Sequence, residues 1–431
     1  MKKLVKLAVI SALTLSATSL LATNGSVMIG MGAKTRGMGG VGIGVSHGAE
    51  SALSNPAMIV PVEGTQVSFG GTLFMPDVSI DNTMFNGVSG FGSGKADSDA
   101  DMFVIPSIFI ANKVNDNFYW GVGMWGTGGL GVDYRDTPSI MAGGSNMKMV
   151  TALQLMQFGV PIVYTKNNFS IGITPIIQYG SLDINYEYPG SANPIDPNSV
   201  GDTISAGVSD DLSIGFNIGL GYTISNFTIG AVYISEIEMK FEDVLENTIT
   251  PFVNPVSNPQ GYNNDKLSSP EQMGVGMSYR MNGHTLAVDY RMINWEDAET
   301  YKDFGWEDQD VIAVGYQYTT ETWALRCGYQ YAGSAVQEQA VTFNSLGQEN
   351  NFNAKGISSG TVNTFNNLGF PGNLESHVTF GGTYSFNEKV SMDLAVVYGL
   401  EAKDTFTNFG GQQITVKHSE TSFSFQVNYN F

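Results

Sequence analysis

The chain has 431 residues, with 20 Lys and Arg against 40 Asp and Glu, a formal charge of −20 and a mean hydropathy of −0.03. That acidity argues against nucleic acid as a partner. No segment beyond the first residues approaches ~18 uninterrupted apolar positions, which excludes helical membrane spans, and the lone Cys327 excludes a disulfide framework or a cysteine metal site.

Residues 1–22 read as a secretory leader: Lys2, Lys3 and Lys6 precede an apolar stretch from Leu7 to Leu21 that ends on the small residue Ala22. A membrane anchor is the competing reading, but the stretch is short of the ~20 residues a spanning helix needs and is rich in Ser and Thr. No cysteine marks a lipoprotein site. Losing three of the 20 basic residues would leave a charge of about −23. An exported chain without helical spans that is still bound for a bilayer has one option, a closed barrel. Its hydropathy is near neutral because half of every strand faces water.

Residues 23–62 do not alternate. They are rich in glycine (Gly30, Gly32, Gly37, Gly39, Gly40, Gly42, Gly44, Gly48) but also carry Met28, Ile29, Met31, Val41, Ile43, Val45, Leu53, Met58 and Ile59. That is too apolar for a solvated linker. A wide barrel leaks unless its bore is filled, so this segment is expected to fold as a plug, or hatch, inside the lumen. Gly37-Met38-Gly39-Gly40-Val41-Gly42 spells a nucleotide fingerprint, but no strand precedes it and no helix with an acid follows. Ala33-Lys34-Thr35 lacks the glycine of a phosphate loop.

From residue 63 to 431 the pattern is period two. Alternation predicts strands at 65–79, 101–112, 117–134, 146–165, 168–188, 210–224 and 226–241, then at 269–281, 284–296, 309–319, 322–333, 374–386, 390–402 and 416–431. The last is the clearest, with Phe423, Phe425, Val427, Tyr429 and Phe431 on one face and Ser422, Ser424, Gln426, Asn428 and Asn430 on the other. The fold expected is all-β, a 14-stranded antiparallel transmembrane barrel around an N-terminal plug. Tight turns such as Asn282-Gly283 alternate with long polar segments such as 242–268 and 334–373, as the two faces of an outer-membrane barrel require. A barrel closed on itself needs no partner chain, so a monomer is expected.

Candidate chemistry is sparse. The four histidines, His47, His284, His377 and His418, have no serine and acid in a triad arrangement, so no enzyme activity is expected. Asp97, Asp99 and Asp101 lack the glycine and closing glutamate of a calcium loop and read as a solvated acidic loop. Acidic loops bridged by divalent ions to lipopolysaccharide are a sharper reading of the same residues. No cofactor or metal is called for. Strand parity turns Arg280, Asp289, Arg291, Arg326, His377 and Asp393 into the lumen, and Gly121, Gly123, Gly126, Gly128, Gly129 and Gly131 crowd the third strand, where glycine weakens pairing and marks a bend.

The segment Thr35-Arg36-Gly37 continuing to Ser54-Asn55-Pro56-Ala57, then Met75-Pro76-Asp77-Val78, Trp120 to Leu130, Asn294-Trp295, Trp323 to Tyr329 and His377 to Gly381 follow one another in order. Together they resemble the FadL/TodX family of outer-membrane transporters of hydrophobic compounds over nearly the whole chain. The resemblance implies a hatch whose gating residues include Arg36, Gly37, Asn55, Pro56 and Ala57, and sideways release into the membrane at the third strand with the Asn-Pro-Ala hatch nearby. One departure is local: where the family often has proline before the Gly-Leu of that strand, this chain has Gly126-Thr127-Gly128-Gly129-Leu130.

Passive uptake of long-chain fatty acids or other hydrophobic molecules is therefore expected. Phe85, Phe91, Phe252, Phe343, Phe352, Phe365 and Phe370 would supply a greasy groove, and Arg326, with Arg280, Arg291 and His377, would meet a carboxylate. The same aromatics also suit plain loop packing or an interfacial girdle, and Arg326 also suits pairing with Asp289 or holding the plug. A surface structural or adhesive barrel, aromatic-hydrocarbon rather than fatty-acid uptake, and a hydrophilic porin are the competing functions.

Overall fold

Alternation of apolar and polar side chains lets each strand face lipid on one side and water on the other, and fourteen such strands close into a barrel. The computed structural model describes residues 24–83, 94–139, 144–188, 202–345 and 349–431. The expected leader, together with Phe85 and Phe91, lies outside the described residues. The strands are β1 Thr65–Asn82, β2 Phe103–Lys113, β3 Phe118–Asp133, β4 in two pieces (Val150–Gly159 and Ile162–Lys166), β5 Phe169–Tyr188, β6 Ser209–Ile224 and β7 Phe227–Ile234. They continue as β8 Glu271–Met281, β9 His284–Asn294, β10 Gln309–Thr319, β11 Trp323–Ala332, β12 Ser376–Ser385, β13 Val390–Thr407 and β14 Gln413–Asn430. Each pairs antiparallel with the next, and β14 closes on β1 from Gln66↔Asn430 to Asn82↔Ile414.

Side-chain direction follows the parity of the sequence. Phe423 and Phe425 are exposed on the outer wall while Ser422, Ser424, Gln426 and Asn428 are buried inside. Along β5, Phe169, Ile171 and Ile173 point out and Ser170 and Thr174 point in.

Three strand expectations are corrected. The run 146–165 is not continuous: the strand starts at Val150 and breaks at Val160-Pro161, where proline has no N–H for the ladder. The run 226–241 ends its barrel strand at Ile234; Ile237–Lys240 turns away and pairs with Lys266–Ser269 as a separate hairpin, burying Ile237 and Met239. At the long-loop end the sheet outruns the alternation signal, with β1 reaching Asn82 and β13 reaching Thr407.

Residues 24–62 sit within the barrel as short pieces: α1 Ala33–Gly37, α2 Ser51–Ser54 and single turns between them. Glycine lets this segment lie directly on the wall. A Cβ on Gly44 would come within 2.4 Å of the Gly276 carbonyl carbon, and one on Gly328 within 2.3 Å of the Gly39 nitrogen. The glycine run that imitates a nucleotide fingerprint is therefore a packing surface.

The long loops fold over the other end, with α3 Val244–Ile249 and α4 Ser359–Leu368. Ser358 caps α4 by accepting from the Thr361 N–H, and the helix is buried along its whole length. Its sequence, SGTVNTFNNL, has no strong apolar stripe, and nothing in the period-two reading announced it.

Candidate functional site

The hatch is fixed to the wall at three places, each built by a different chemistry. At β5–β7, Asn55 is fully buried. Its Nδ2 donates to the carbonyls of Ile43 (2.8 Å), Leu220 (3.0 Å) and Ala231 (3.4 Å), and its Oδ1 accepts from the Ala57 N–H at 3.0 Å. Pro56 and Ala57 then press on glycines of the wall, Gly172 and Gly219 among them. Proline fits here because it starts a helical turn, where its missing N–H costs nothing.

At β9, Asp289 Oδ2 accepts from the backbone N–H groups of Gly42 (2.6 Å) and Ile43 (2.8 Å). At β12–β14, the buried Arg36 donates to Gly30 O (3.1 Å) and Ser422 Oγ (2.5 Å) and feels the Glu420 carboxylate. Burial lowers its pKa to about 10 against the pull of Glu420, and it stays charged at neutral pH. Glu420 in turn takes a hydrogen bond from His377 Nε2 at 3.0 Å.

The wall's ladders part at two places among the described residues: between β6 and β7, where β7 stops at Ile234 and β6 runs on to Ser209, and at the third strand. The β2–β3 ladder runs from Lys113↔Tyr119 only to Ser107↔Trp125; beyond it, Phe103–Pro106 of β2 pairs with β1 alone, and β3 continues to Asp133 paired only with β4. Pro106 withholds an N–H at the point of parting, and the register of β3 on β4 shifts between Gly126 and Gly128. The middle of that edge is taken by the hatch: Val27 bridges Gly128 through two hydrogen bonds, Met28 N–H to Thr127 O at 3.2 Å and Gly129 N–H to Ser26 O at 3.1 Å, while at its end Asp133 is held by Asp99 N–H and Ser98 Oγ. Met28 also packs with Phe74, Phe103 and Ile105 across the gap.

Above the hatch, at the long-loop end, the loops enclose an apolar chamber. Ile184, Leu245, Ile249, Leu267, Phe304, Trp306, Phe365 and Phe370 line it with Tyr301, and its only polar neighbours among the described residues are Thr300 and Asn366. The free space is about 30 Å³, so the aromatic walls fill it themselves. The chamber reaches the hatch through Trp295, Tyr301 and Trp306, whose rings stack at 4.6–5.0 Å; Trp295 and Trp306 pack on Gly25. Below the hatch, at the short-turn end, lies a basin of about 980 Å³ lined by Lys34, His47, Arg280, Gln317 and Arg326.

Residues 8–345 match the model of the outer membrane protein transport family OMPP1/FadL/TodX. The chain belongs to this family. It is similar to the long-chain fatty acid transport protein of Escherichia coli K12, at 24% identity over 90% of this chain and 92% of the relative. Among solved structures it resembles a Pseudomonas aeruginosa FadL homologue (TM-score 0.67, 15% identity, 94% of this chain and 100% of that one). It also resembles the Pseudomonas putida toluene transporter TodX (TM-score 0.63, 18% identity, 93% and 99%).

Set on the FadL/TodX fold, the residues singled out in the sequence divide between the two sides of the hatch. Arg36 and Gly37 join the β12–β14 wall and Asn55-Pro56-Ala57 joins β5–β7. The backbone bonds to the third strand come from residues 26–28, and Ala52 and Leu53, just ahead of Asn-Pro-Ala, line a cavity with Thr127 and Gly128. Arg326 is on the short-turn side, away from the apolar chamber, 3.7 Å from Asp393 and donating from Nε to Gln317 Oε1 at 2.5 Å. Its acid is thus Asp393 and not Asp289, whose carboxylate is taken by hatch N–H groups. Arg280 donates to Ser46 O at 3.2 Å, and His377 is occupied by Glu420.

Arg291 lines a cavity of about 50 Å³ between hatch and wall, with Asp289, Met31, Ile43 and Gln330. Of the loop aromatics, Phe365 and Phe370 line the chamber, Phe252 stacks on Phe365 at 5.2 Å, Phe352 packs at its edge and Phe343 is exposed. The sequence reading named Met28 only among the apolar residues of the plug and missed Ser26 and Val27, whose only signal was their position at the start of the hatch, and α4, which had none.

Proposed function

We propose that this family member carries out passive, energy-independent uptake of long-chain fatty acids or other hydrophobic compounds across the outer membrane of a Gram-negative cell. Solute enters the apolar chamber between the loops, the hatch shifts, and solute leaves sideways between β2 and β3. The observation that carries the reading is the parted β2–β3 ladder with Ser26–Met28 in the place of a neighbouring strand. An edge held by two backbone hydrogen bonds to a plug, rather than by a full ladder, exposes a route into lipid when the plug moves. The chamber and this edge are joined through one short segment, since Gly25 packs under Trp295 and Trp306 and Val27 bridges Gly128. A solute that spreads the aromatic walls therefore presses on the residues that close the window.

Neutral hydrocarbons are the second reading, favoured by the chamber's lining: none of its described residues is charged, and Arg326 lies on the far side of the hatch. Uptake of labelled oleate and of labelled toluene by a transporter-deficient host expressing the chain, beside an Asn55→Ala variant, separates the two. Oleate uptake that depends on Asn55 supports fatty-acid transport, and toluene uptake alone supports hydrocarbons. Neither, with the barrel inserted, sinks both and leaves an adhesive or structural surface protein.

A further inference from the structure

The basin below the hatch plays no part in that route, yet its charge is unlike the rest of the molecule. Register places Arg280, Thr285, Gln317 and Arg326 in one row across β8, β9, β10 and β11. The two arginines stand three strand spacings apart, roughly 14 Å, with only neutral side chains between them. Lys34 of the hatch reaches into the same basin.

Two buried acids serve this group, Asp393 and Glu50. Asp393 lies 3.8 Å from Lys34 and 3.7 Å from Arg326, and it also accepts from Thr383 and Asn428. Arg326 is only 7% exposed, and its Nη1 has no hydrogen-bond partner despite the nearby carboxylate. Arg280 has a single carbonyl, Ser46 O, and no acid within ion-pair distance among the described residues. Glu50 takes its hydrogen bonds from the neutral Thr35 and Gln426 and also acts on Arg326, while Glu63 at the rim is committed to Lys113 at 2.9 Å. Glu388 at the rim sits beside Lys389. The His47 imidazole forms part of the basin roof. Its pKa falls to about 3, first through burial and then through Arg326, with Lys34 and Arg280 adding to the effect.

We propose that this basin is an anion site, open to the periplasm in the topology above, that binds a carboxylate through Arg280 and Arg326. Arginine forks match a carboxylate in plane and spacing, and an unpaired guanidinium N–H held out of water gains most from such a partner. Three cations (Lys34, Arg280, Arg326) against two buried acids (Asp393, Glu50) leave one positive charge, which suits a monoanion better than a dianion and sets a carboxylate above inorganic phosphate. The site stands apart from the lateral route, so failure of oleate uptake would leave it untouched.

The test uses the full-length barrel in detergent at low ionic strength, with 4-bromobenzoate as probe, bromobenzene as its uncharged counterpart and inorganic phosphate as competitor. Bromine located by anomalous diffraction in the basin, with affinity about tenfold weaker in Arg280→Gln and in Arg326→Gln and unchanged in the chamber variant Phe365→Ala, is the expected result. Arg280→Lys, which keeps the charge without the fork, should recover only part of the binding, and retention of the heat-resistant barrel band on gels separates lost binding from lost folding. Bromine only in the apolar chamber, affinity indifferent to Arg280, or bromobenzene binding the basin equally well would overturn the proposal. Phosphate displacing the probe at equal concentration would overturn the choice of carboxylate.

Discussion

His377 Nε2 and Glu420 Oε1 lie 3.0 Å apart although a whole strand separates their backbones. Gly399 of β13 is the register partner of both residues, and having no side chain it lets the pair meet above it. A Cβ there would stand 2.5 Å from Glu420 Cγ and 3.2 Å from His377 Cδ2. Gly399→Val should therefore part the pair, leave a buried carboxylate beside Arg36 without its histidine, and destabilise the barrel by about 3 kcal/mol. The midpoint of urea unfolding in micelles reads this, and an unchanged midpoint would show that the pair contributes nothing.

The window at β3 predicts a contrast between two neighbouring glycines. A Cβ at Gly128 would fall 2.2 Å from Ser26 O, a backbone atom, whereas one at Gly126 would meet the Ile105 methyl at 2.6 Å, which can rotate aside. Gly128→Val should expel residues 26–28 and abolish uptake while the barrel stays heat-stable; Gly126→Val should lose less. Equal uptake in Gly128→Val and the parent would falsify the lateral route.

Asn55→Ala removes a side chain that serves three carbonyls and one N–H in a buried place. With hydrogen bonds of this kind contributing roughly 1 kcal/mol each and stranded buried groups costing more, the docking at β5–β7 should weaken by about 3 kcal/mol. Planar bilayers are the direct measurement: the parent should conduct little, and the variant should show frequent openings.

Acid should loosen the hatch through His47. Its pKa is about 3 in the docked hatch, against an ordinary ~6.5 when freed, so the undocked state takes up the proton first. This contribution to docking is complete above about pH 6.5 and is lost as pH falls from there toward 3. His47→Gln keeps a donor for Val41 O, which His47 Nε2 meets at 2.8 Å, and should flatten that part of the pH dependence of bilayer conductance.

In the chamber, Phe365 touches Phe252 and Tyr186 edge-on and Phe304 at a tilt. Phe365→Ala should open the 30 Å³ space, lower loop stability by about 3 kcal/mol and raise the apparent half-saturation for oleate or toluene several-fold. An unaltered concentration dependence of uptake would remove the chamber from the route.

The barrel was legible in the amino-acid order because a strand between lipid and water must alternate at every position. The faces of Phe423 and Ser422, the inward turn of Arg326 and His377, and the even count of strands all follow from period two and from the alternation of short and long connections. The glycine-rich, apolar character of residues 24–62 likewise marked a packed segment rather than a tail. Parity, however, fixes the face of a residue and not its depth or its neighbour.

Only closure of the barrel decided that Arg36 meets Ser422, that Asp289 holds the Gly42–Ile43 backbone and that Val27 completes the edge of β3, since these partners are far apart in the chain and several are backbone groups with no sequence signature. It also decided that Arg326 faces the basin and Phe365 the chamber, on opposite sides of a hatch whose position no local pattern encodes.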